Sequence, residues 1–113
     1  MSGNMDHFLP LTQFVAELMS PDTEVILYDA RARCVFHVIN PMDDEMVVGS
    51  EMRSLERSFL DDRIYERENF IVNYRALSKH KNKLKSATMF LRDVTGELAA
   101  MLTVNVNVDR LVE

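Results

Sequence analysis

The side chains best suited to bind a ligand are polar residues set within apolar runs of the second half of the chain. Thr103, Asn105 and Asn107 are spaced by two in an otherwise apolar terminal run, so they share one face of a strand. Ser86 and Thr88 are spaced in the same way in the run before it. A buried amide without a partner costs on the order of 1–3 kcal/mol. These positions are therefore where a ligand could supply hydrogen bonds.

Six polar residues form the predicted pocket, which we expect to hold a compact polar metabolite between a sheet and its helices. They are Tyr28, Asn40, Asn73, Ser86, Thr88 and Asn105. The alternative is that these groups hydrogen-bond to one another and to nearby backbone, with no ligand bound. The sequence leaves both interpretations open.

Catalytic and metal-binding patterns are weak. Cys34 and His37 lie three apart on a short predicted strand, which would place them on opposite faces, whereas a nucleophile and its base must be within hydrogen-bond reach. The acidic run at 43–45 has no calcium-loop spacing, and there is no zinc spacing and no Gly-rich phosphate loop. We therefore expect that the protein is not an enzyme and that it binds no metal and no cofactor. His37 is not part of any motif that would indicate a haem or flavin site.

Composition bounds the class of protein. The 113 residues suit one domain, and a net charge of -5 with a pI near 5.2 disfavours direct nucleic-acid binding, which needs concentrated Lys and Arg. The single Cys34 fits a reducing compartment. With no basic, apolar leader and no apolar run near 20 residues, we expect a cytoplasmic protein with no membrane partner.

The elements that would position these residues include two amphipathic helices. The first is predicted from Phe8 to Met19, and its apolar stripe would dock on a sheet or pair with a second copy of itself. That stripe comprises Phe8, Leu11, Phe14, Val15 and Leu18. The second helix is predicted to start at a capping Ser50. Its inner stripe would be Met52, Leu55, Phe59 and Leu60.

Five strands are predicted from runs rich in β-branched and aromatic residues. They cover residues 24–28, 34–39, 70–77, 84–91 and about 98–108. Simple alternation would put Ile71 and Asn73 on one face of the third strand and Tyr74 on the other, and His37 on one face with Val35 and Ile39. The nearly continuous apolar character of the last strand predicts burial on both faces. Together the elements predict an α+β fold: a five-stranded antiparallel sheet with helices mainly on one face and an N-terminal amphipathic helix.

Three segments carry a resemblance to a known family: Asn73-Tyr74-Arg75, the block 84–88 and the terminal run 102–107. They resemble the YheO-like PAS domain family, over roughly Phe8 to Leu111. The resemblance implies a PAS fold acting as the sensor half of a bacterial transcriptional regulator, which a helix-turn-helix half usually follows. No such half is present in 1–113. We therefore expect no direct contact of this chain with DNA, and any contact would come from a separate helix-turn-helix half. We expect either an excised piece, which the end at Glu113 favours, or a protein that works without that half.

Departures from the family pattern fall mostly on polar positions. Tyr28 stands where the family usually has histidine, Ala87 replaces a serine, Thr103 a cysteine and Asn107 an aspartate. The predicted fold does not depend on these polar positions, but the identity of a ligand cannot be inferred from the family. The function expected is a ligand-sensing, homodimerising regulatory domain. The alternative is a stand-alone dimerisation or protein-interaction module that binds no small molecule.

Overall fold

The computed structural model describes residues 2–19, 21–78 and 81–108. A 3-10 helix, Ser2–Phe8, runs into α1, Leu9–Leu18, and a second 3-10 turn, Ile64–Glu66, follows α2, Ser54–Asp61. The strands are β1, Thr23–Asp29; β2, Cys34–Ile39; β3, Phe70–Leu77; β4, Lys83–Arg92; and β5, Leu98–Asn107. Among the described residues, no helix has the length and apolar content that crossing a bilayer requires.

The five strands form one antiparallel sheet in the order β2-β1-β5-β4-β3. The predicted α+β fold is therefore confirmed. β5 lies in the centre, between β1 and β4, and Ala99 to Leu102 are all buried. A central strand covered on both faces needs apolar residues at successive positions, so the prediction of a doubly buried last strand is also confirmed.

The two faces of the sheet have separate cores. On the inner face, side chains such as Ile26 and Met101 pack with Met52, Phe59 and Leu60 around α2. On the outer face, side chains such as Val25 and Leu102 pack under the N-terminal helices. The inner face carries four of the polar residues predicted for the site: Tyr28, Ser86, Thr88 and Asn105.

The N-terminal helix docks on the sheet with part of its apolar stripe. Leu11 and Val15 pack against the outer core, and the Thr12 hydroxyl donates to the Phe8 carbonyl at 2.8 Å. Phe14 and Leu18 remain 64% and 72% exposed. Docking, one of the two predicted roles of this helix, is confirmed, and four-residue spacing keeps the two exposed side chains on one helical face.

The predicted start of the second helix at Ser50 is wrong. α2 begins at Ser54, and the residue before it, Arg53, has extended backbone geometry. The helix starts late because the residues before Arg53 pair with β2 as a short extended segment. The Val35 amide donates to the Ser50 carbonyl, and the Met52 amide donates to the Arg33 carbonyl. The Ser50 hydroxyl donates to the Val47 carbonyl in a turn instead.

The inner stripe of α2 also differs from the prediction at one position. Leu55 is 38% exposed, whereas Glu56, the next residue, is 3% exposed. Met52, Phe59 and Leu60 are buried as predicted. The later start of the helix turns a carboxylate, rather than a leucine, toward the sheet.

Two irregularities overturn predictions made from simple alternation. β3 shifts register between Ile71 and Tyr74, where Asn73 has a left-handed φ of 61°. An extra residue at a bulge reverses the faces that follow it, so Ile71 and Tyr74 both pack against the inner core. Asn73 itself is exposed.

The second irregularity lies between β1 and β2. The register shifts between Leu27 and Tyr28, so that His37 pairs with Leu27 and Cys34 with Asp29. Cys34 and His37 thus share a face, which contradicts the expectation that they lie on opposite faces. Val35 packs with the inner core and Ile39 with the outer core, so the shared face predicted for Val35 and Ile39 is wrong too. Within the described chain no hydrogen bond joins the Cys34 and His37 side chains.

Candidate functional site

A chain of three polar side chains crosses three neighbouring strands on the inner face; we call it the polar row. Ser86 on β4 lies opposite Asn105 on β5, which lies opposite Glu24 on β1. The Ser86 hydroxyl donates to Asn105 Oδ1 at 2.6 Å, and Asn105 Nδ2 donates to Glu24 Oε1 at 2.8 Å. All three side chains are buried. Cross-strand register therefore brings together residues far apart in sequence.

The Glu24 carboxylate at the end of this row is fully buried and well compensated. Arg53 donates to Oε1 at 2.9 Å and to Oε2 at 3.3 Å, and the Met42 amide donates to Oε2 at 2.8 Å. Arg53 also reaches Asp43 at 3.3 Å. A buried carboxylate is tolerated when a cation and several donors satisfy its lone pairs. This cluster ties the start of α2 and the loop after β2 to the sheet.

A second polar chain runs beside the first; we call it the hydroxyl ladder. The Thr103 and Thr88 hydroxyls are 2.7 Å apart, and the Thr88 and Tyr74 hydroxyls are 2.8 Å apart. Tyr74 donates to Glu56 Oε2 at 3.2 Å. Since a hydroxyl has one proton to donate, Thr88 must then donate to Tyr74 and Thr103 to Thr88. The ladder therefore leads from the centre of the sheet to the carboxylate on α2.

Two buried polar atoms near the end of the ladder lack hydrogen-bond partners within the described chain: Glu56 Oε1 and the Tyr28 hydroxyl. Burial raises the pKa of the Glu56 carboxyl above its ordinary value, because the charged form loses solvation. Burial, and then the nearby Glu56, also raise the pKa of the Tyr28 and Tyr74 hydroxyls well above the usual value. Most buried polar groups in proteins are paired, so these two atoms are exceptions among the buried polar groups of the site.

A cleft of about 510 Å³ opens beside these chains, between the first turns of α2 and strands β3 to β5. Glu56 and Asn105 both line it, together with Arg53, Arg57, Ala76 and Leu84. Its mixture of apolar walls and a few convergent polar groups is typical of small-molecule sites. The volume is large enough for a compact metabolite, which is the class of ligand predicted from the sequence.

The structure brings four of the six predicted site residues to one face and leaves two outside. Ser86, Thr88 and Asn105 are buried members of the two chains, and Tyr28 is fully buried in the same core. Asn73 is exposed at the bulge of β3. Asn40 is exposed after β2 with a φ of 55°, and its Nδ2 donates to the Thr23 carbonyl at 3.3 Å. The ligand-binding role of the six residues remains a prediction.

Sequence reasoning missed four members of the site: Glu24, Arg53, Glu56 and Tyr74. Two of them had a usable signal. Glu24 is spaced by two from Ile26 and by four from Tyr28 on β1 and so shares their face. Glu56 lies four after Met52 and four before Leu60, within the inner stripe of α2. Tyr74 was hidden by the bulge, and nothing local distinguishes Arg53 from the other arginines.

The described residues contain no group of three or more His, Cys, Asp and Glu side chains arranged to hold a metal ion. The site offers buried hydroxyls, an amide and a carboxylate, of which the Asn105 amide and the Glu56 carboxylate line the cleft.

Comparisons with known proteins agree on the type of domain. A model of the family described as "YheO-like PAS domain" matches residues 2–113. The transcriptional regulator DauR of Pseudomonas aeruginosa is 27% identical over 105 residues, which are 93% of this chain and 48% of DauR. The chain therefore spans about half the length of this curated relative.

The fold comparison gives the same result at lower sequence identity. A solved structure of an RNA-binding light-oxygen-voltage receptor superposes with a TM-score of 0.59 at 12% identity, over 94% of this chain and 34% of the receptor. At this identity the likeness concerns the fold alone.

Proposed function

The chain belongs to the YheO-like PAS domain family, and on that premise we propose that it is the ligand-sensing, dimerising domain of a bacterial transcriptional regulator. The match to about half of DauR supports a regulator in which this domain is one part. Contact with DNA would then come from another part of the regulator, in the cytoplasm. With its net charge of -5, this chain would not bind the phosphate backbone by itself.

The observation that carries the sensor role is the cleft bordered by both polar chains. Asn105 belongs to the polar row and lines the cleft, and Glu56 ends the hydroxyl ladder and lines it too. Most buried polar atoms in proteins have a hydrogen-bond partner. Here one carboxylate oxygen and one phenol hydroxyl are left without a partner, which favours a site that a ligand completes.

The way in which α2 is attached suggests how binding would be transmitted. Near its start the helix is held by the Arg53–Glu24 ion pair, and one turn into the helix it is held by the Tyr74–Glu56 hydrogen bond. A ligand that competes for Glu56 would change the balance between these two attachments. Such a ligand would stabilise one position of α2 over another, since it binds the two positions unequally.

The alternative, a dimerisation module, is favoured by a separate observation. Phe14 and Leu18 leave an exposed apolar strip on α1, and Phe70, Val72 and Met89 are exposed on β3 and β4. Exposed apolar patches often mark interaction surfaces. The two functions are compatible, because a ligand that favours one dimer geometry would pass its signal to the attached half.

A screen of purified metabolites by thermal shift tests the sensor role, using the wild-type chain and Asn105→Ala in parallel. We expect at least one compact polar metabolite to raise the wild-type Tm and to have a reduced effect on Asn105→Ala. Asn69→Ala, a change at an exposed asparagine, serves as the matched control and should respond like wild type. If no metabolite raises the wild-type Tm, the sensor role is contradicted and the dimerisation module becomes the better account.

A further inference from the structure

We infer that the ligand of the cleft carries a protonated nitrogen, as an ammonium or guanidinium group, which pairs with the carboxylate of Glu56. The inference rests on the proposed sensor function and adds the chemical class of its ligand. It is based on the unequal numbers of hydrogen bonds and ion pairs made by two buried carboxylates on the same face of the sheet.

Glu24 and Glu56 are 0% and 3% exposed, yet their surroundings differ. Glu24 accepts two hydrogen bonds from Arg53, one from the Met42 amide and one from Asn105. Glu56 accepts a single 3.2 Å hydrogen bond from Tyr74 on Oε2, and its Oε1 accepts none. An ionised carboxylate in such a place is strongly disfavoured until a cation or further donors compensate it.

The charge of Arg53 lowers the pKa of Glu56 in part, but no basic side chain in the described chain forms a hydrogen bond or an ion pair with the Glu56 carboxylate. Arg53 is engaged by Glu24 and Asp43, and Arg57 donates to the Met52 carbonyl and lies 3.8 Å from Glu51. The remaining titratable groups that influence Glu56 are the Tyr74 hydroxyl on β3, the Tyr28 hydroxyl on β1 and the Glu24 carboxylate, also on β1. None of these is a cation at neutral pH.

A cationic ligand would supply the donor that Glu56 Oε1 lacks, because Glu56 lines the cleft. An anionic ligand would instead place a third negative charge beside Glu24 and Glu56. A neutral ligand would leave the carboxylate without a counter-charge, so the buried face selects for a cation.

Binding of this kind exchanges a proton for the ligand. Burial raises the pKa of Glu56, which favours the protonated, neutral form of this carboxyl relative to that of an exposed glutamate. When the ligand's cationic nitrogen pairs with the carboxylate, that proton leaves to solvent and the total charge is conserved. Affinity should therefore rise with pH as the competing proton is lost.

Four matched probes test the inference on the whole chain: butylammonium, butylguanidinium, neutral butanamide and butyrate. They would be titrated while amide NMR signals are followed, with calorimetry in buffers of different ionisation enthalpy. We expect saturable shifts at residues around Glu56 and Tyr74 with the two cations alone. The binding enthalpy should depend on the buffer, because a proton is released, and affinity should rise as the pH is raised above the ordinary pKa of a glutamate.

Glu56→Gln keeps the shape of the side chain and removes the charge, so cation binding should weaken by about tenfold or more. Glu97→Gln is the matched control: Glu97 lies in the β4–β5 turn, outside the residues that line the cleft, its side chain is 79% exposed, and its loss should have little effect. An NMR fingerprint of each variant establishes that it is folded, and the comparison among wild-type probes stands without any variant.

Equal binding of butanamide or butyrate, an equal loss in Glu97→Gln, or no response to either cation would each overturn the cation assignment. These outcomes differ from failure of the sensor role. If the metabolite screen finds an uncharged or anionic ligand in the cleft, the sensor role stands and the cation assignment fails. If the screen finds no ligand, the sensor role itself is contradicted.

Discussion

The side-chain amide of Asn105 donates a 2.8 Å hydrogen bond to the carboxylate of Glu24, a residue 81 positions earlier in the chain. Asn105 also accepts the Ser86 hydroxyl at 2.6 Å. One amide thus links the middle of the sheet to the ion pair that holds α2. The predictions below test what each part of this network contributes.

Asn105→Ala should destabilise the fold by about 1–3 kcal/mol, because it leaves the buried Ser86 hydroxyl without an acceptor and removes one of the two donors to Glu24 Oε1. Urea denaturation followed by circular dichroism measures the free energy of unfolding. Asn69→Ala, an exposed asparagine, should stay within about 0.5 kcal/mol of wild type. A cost for Asn105→Ala as small as that of the control would show that the polar row adds little to stability.

Arg53→Met should lower the free energy of unfolding by about 2–4 kcal/mol, because it leaves the buried Glu24 carboxylate without its cation. The Arg53 side chain is 25% exposed, so we expect a smaller loss than for a fully buried ion pair. Arg33→Met removes an exposed pair with Asp61 and should cost less than about 1 kcal/mol. The double variant Arg53→Met with Glu24→Gln should recover part of the loss. No recovery would mean that the charge on Glu24 is not the cause.

Glu56→Gln should change the pH dependence of stability. Burial raises the pKa of Glu56 in the folded state, so the stabilising effect of its protonation is present at low pH and is lost as pH rises through the folded-state pKa. Glutamine does not titrate, so the variant should gain stability relative to wild type as the pH rises from the ordinary pKa of a glutamate through the raised folded-state pKa of Glu56. Thermal melts across this range, with Glu51→Gln as the control, measure the difference; a difference in Tm that stays constant with pH would contradict the prediction.

Replacing both Phe14 and Leu18 with Glu should abolish dimers, because charges at these positions would oppose burial in an interface. The fold should be preserved, because both side chains are largely exposed on one face of α1. Sedimentation velocity over a range of concentrations measures the assembly state. Val94→Glu changes an apolar residue that is fully exposed at the β4–β5 turn and should leave the dimer intact. A wild-type chain that stays monomeric at high micromolar concentration would contradict the dimer itself.

Asn73 was predicted to bind ligand, and its conformation offers a direct test. Its φ of 61° is accessible to glycine and costs other residues about 1–2 kcal/mol, with Asn affected least. Asn73→Gly should therefore keep wild-type stability, and Asn73→Ala should lose about 1 kcal/mol. If Asn73→Gly retains its stability but loses the thermal response to the metabolite found in the screen, Asn73 has a binding role in addition to its place in the bulge.

The local sequence was enough to predict the sheet and the doubly buried character of β5. Strand periodicity and nearly continuous apolar runs are properties of neighbouring residues, and they do not depend on which strand lies next door. The spacing of Ser86, Thr88 and Asn105 was informative for the same reason, because residues two apart on a strand share a face. These three were correctly predicted to be polar groups inside an apolar sheet.

Tertiary structure decided which faces the irregular positions take. A bulge changes the face of every residue beyond it, and its position is set by pairing with the next strand rather than by local pattern. For this reason Tyr74 packs against the inner core, whereas Asn73, which was predicted to bind ligand, is exposed. In the same way, pairing of residues 50–52 with the edge of β2 delayed the start of α2, and that start places Glu56 rather than Leu55 against the sheet.

The charged part of the site is also a product of the assembled fold. Glu24, Arg53 and Asn105 come from three elements and meet because β1 pairs with β5 and α2 packs across both. A buried ion pair forms only where the fold has removed water and brought the partners within a few ångströms. The sequence by itself determined that polar groups would lie inside an apolar sheet, and the tertiary structure decided which of them are satisfied and that one oxygen of Glu56 is not.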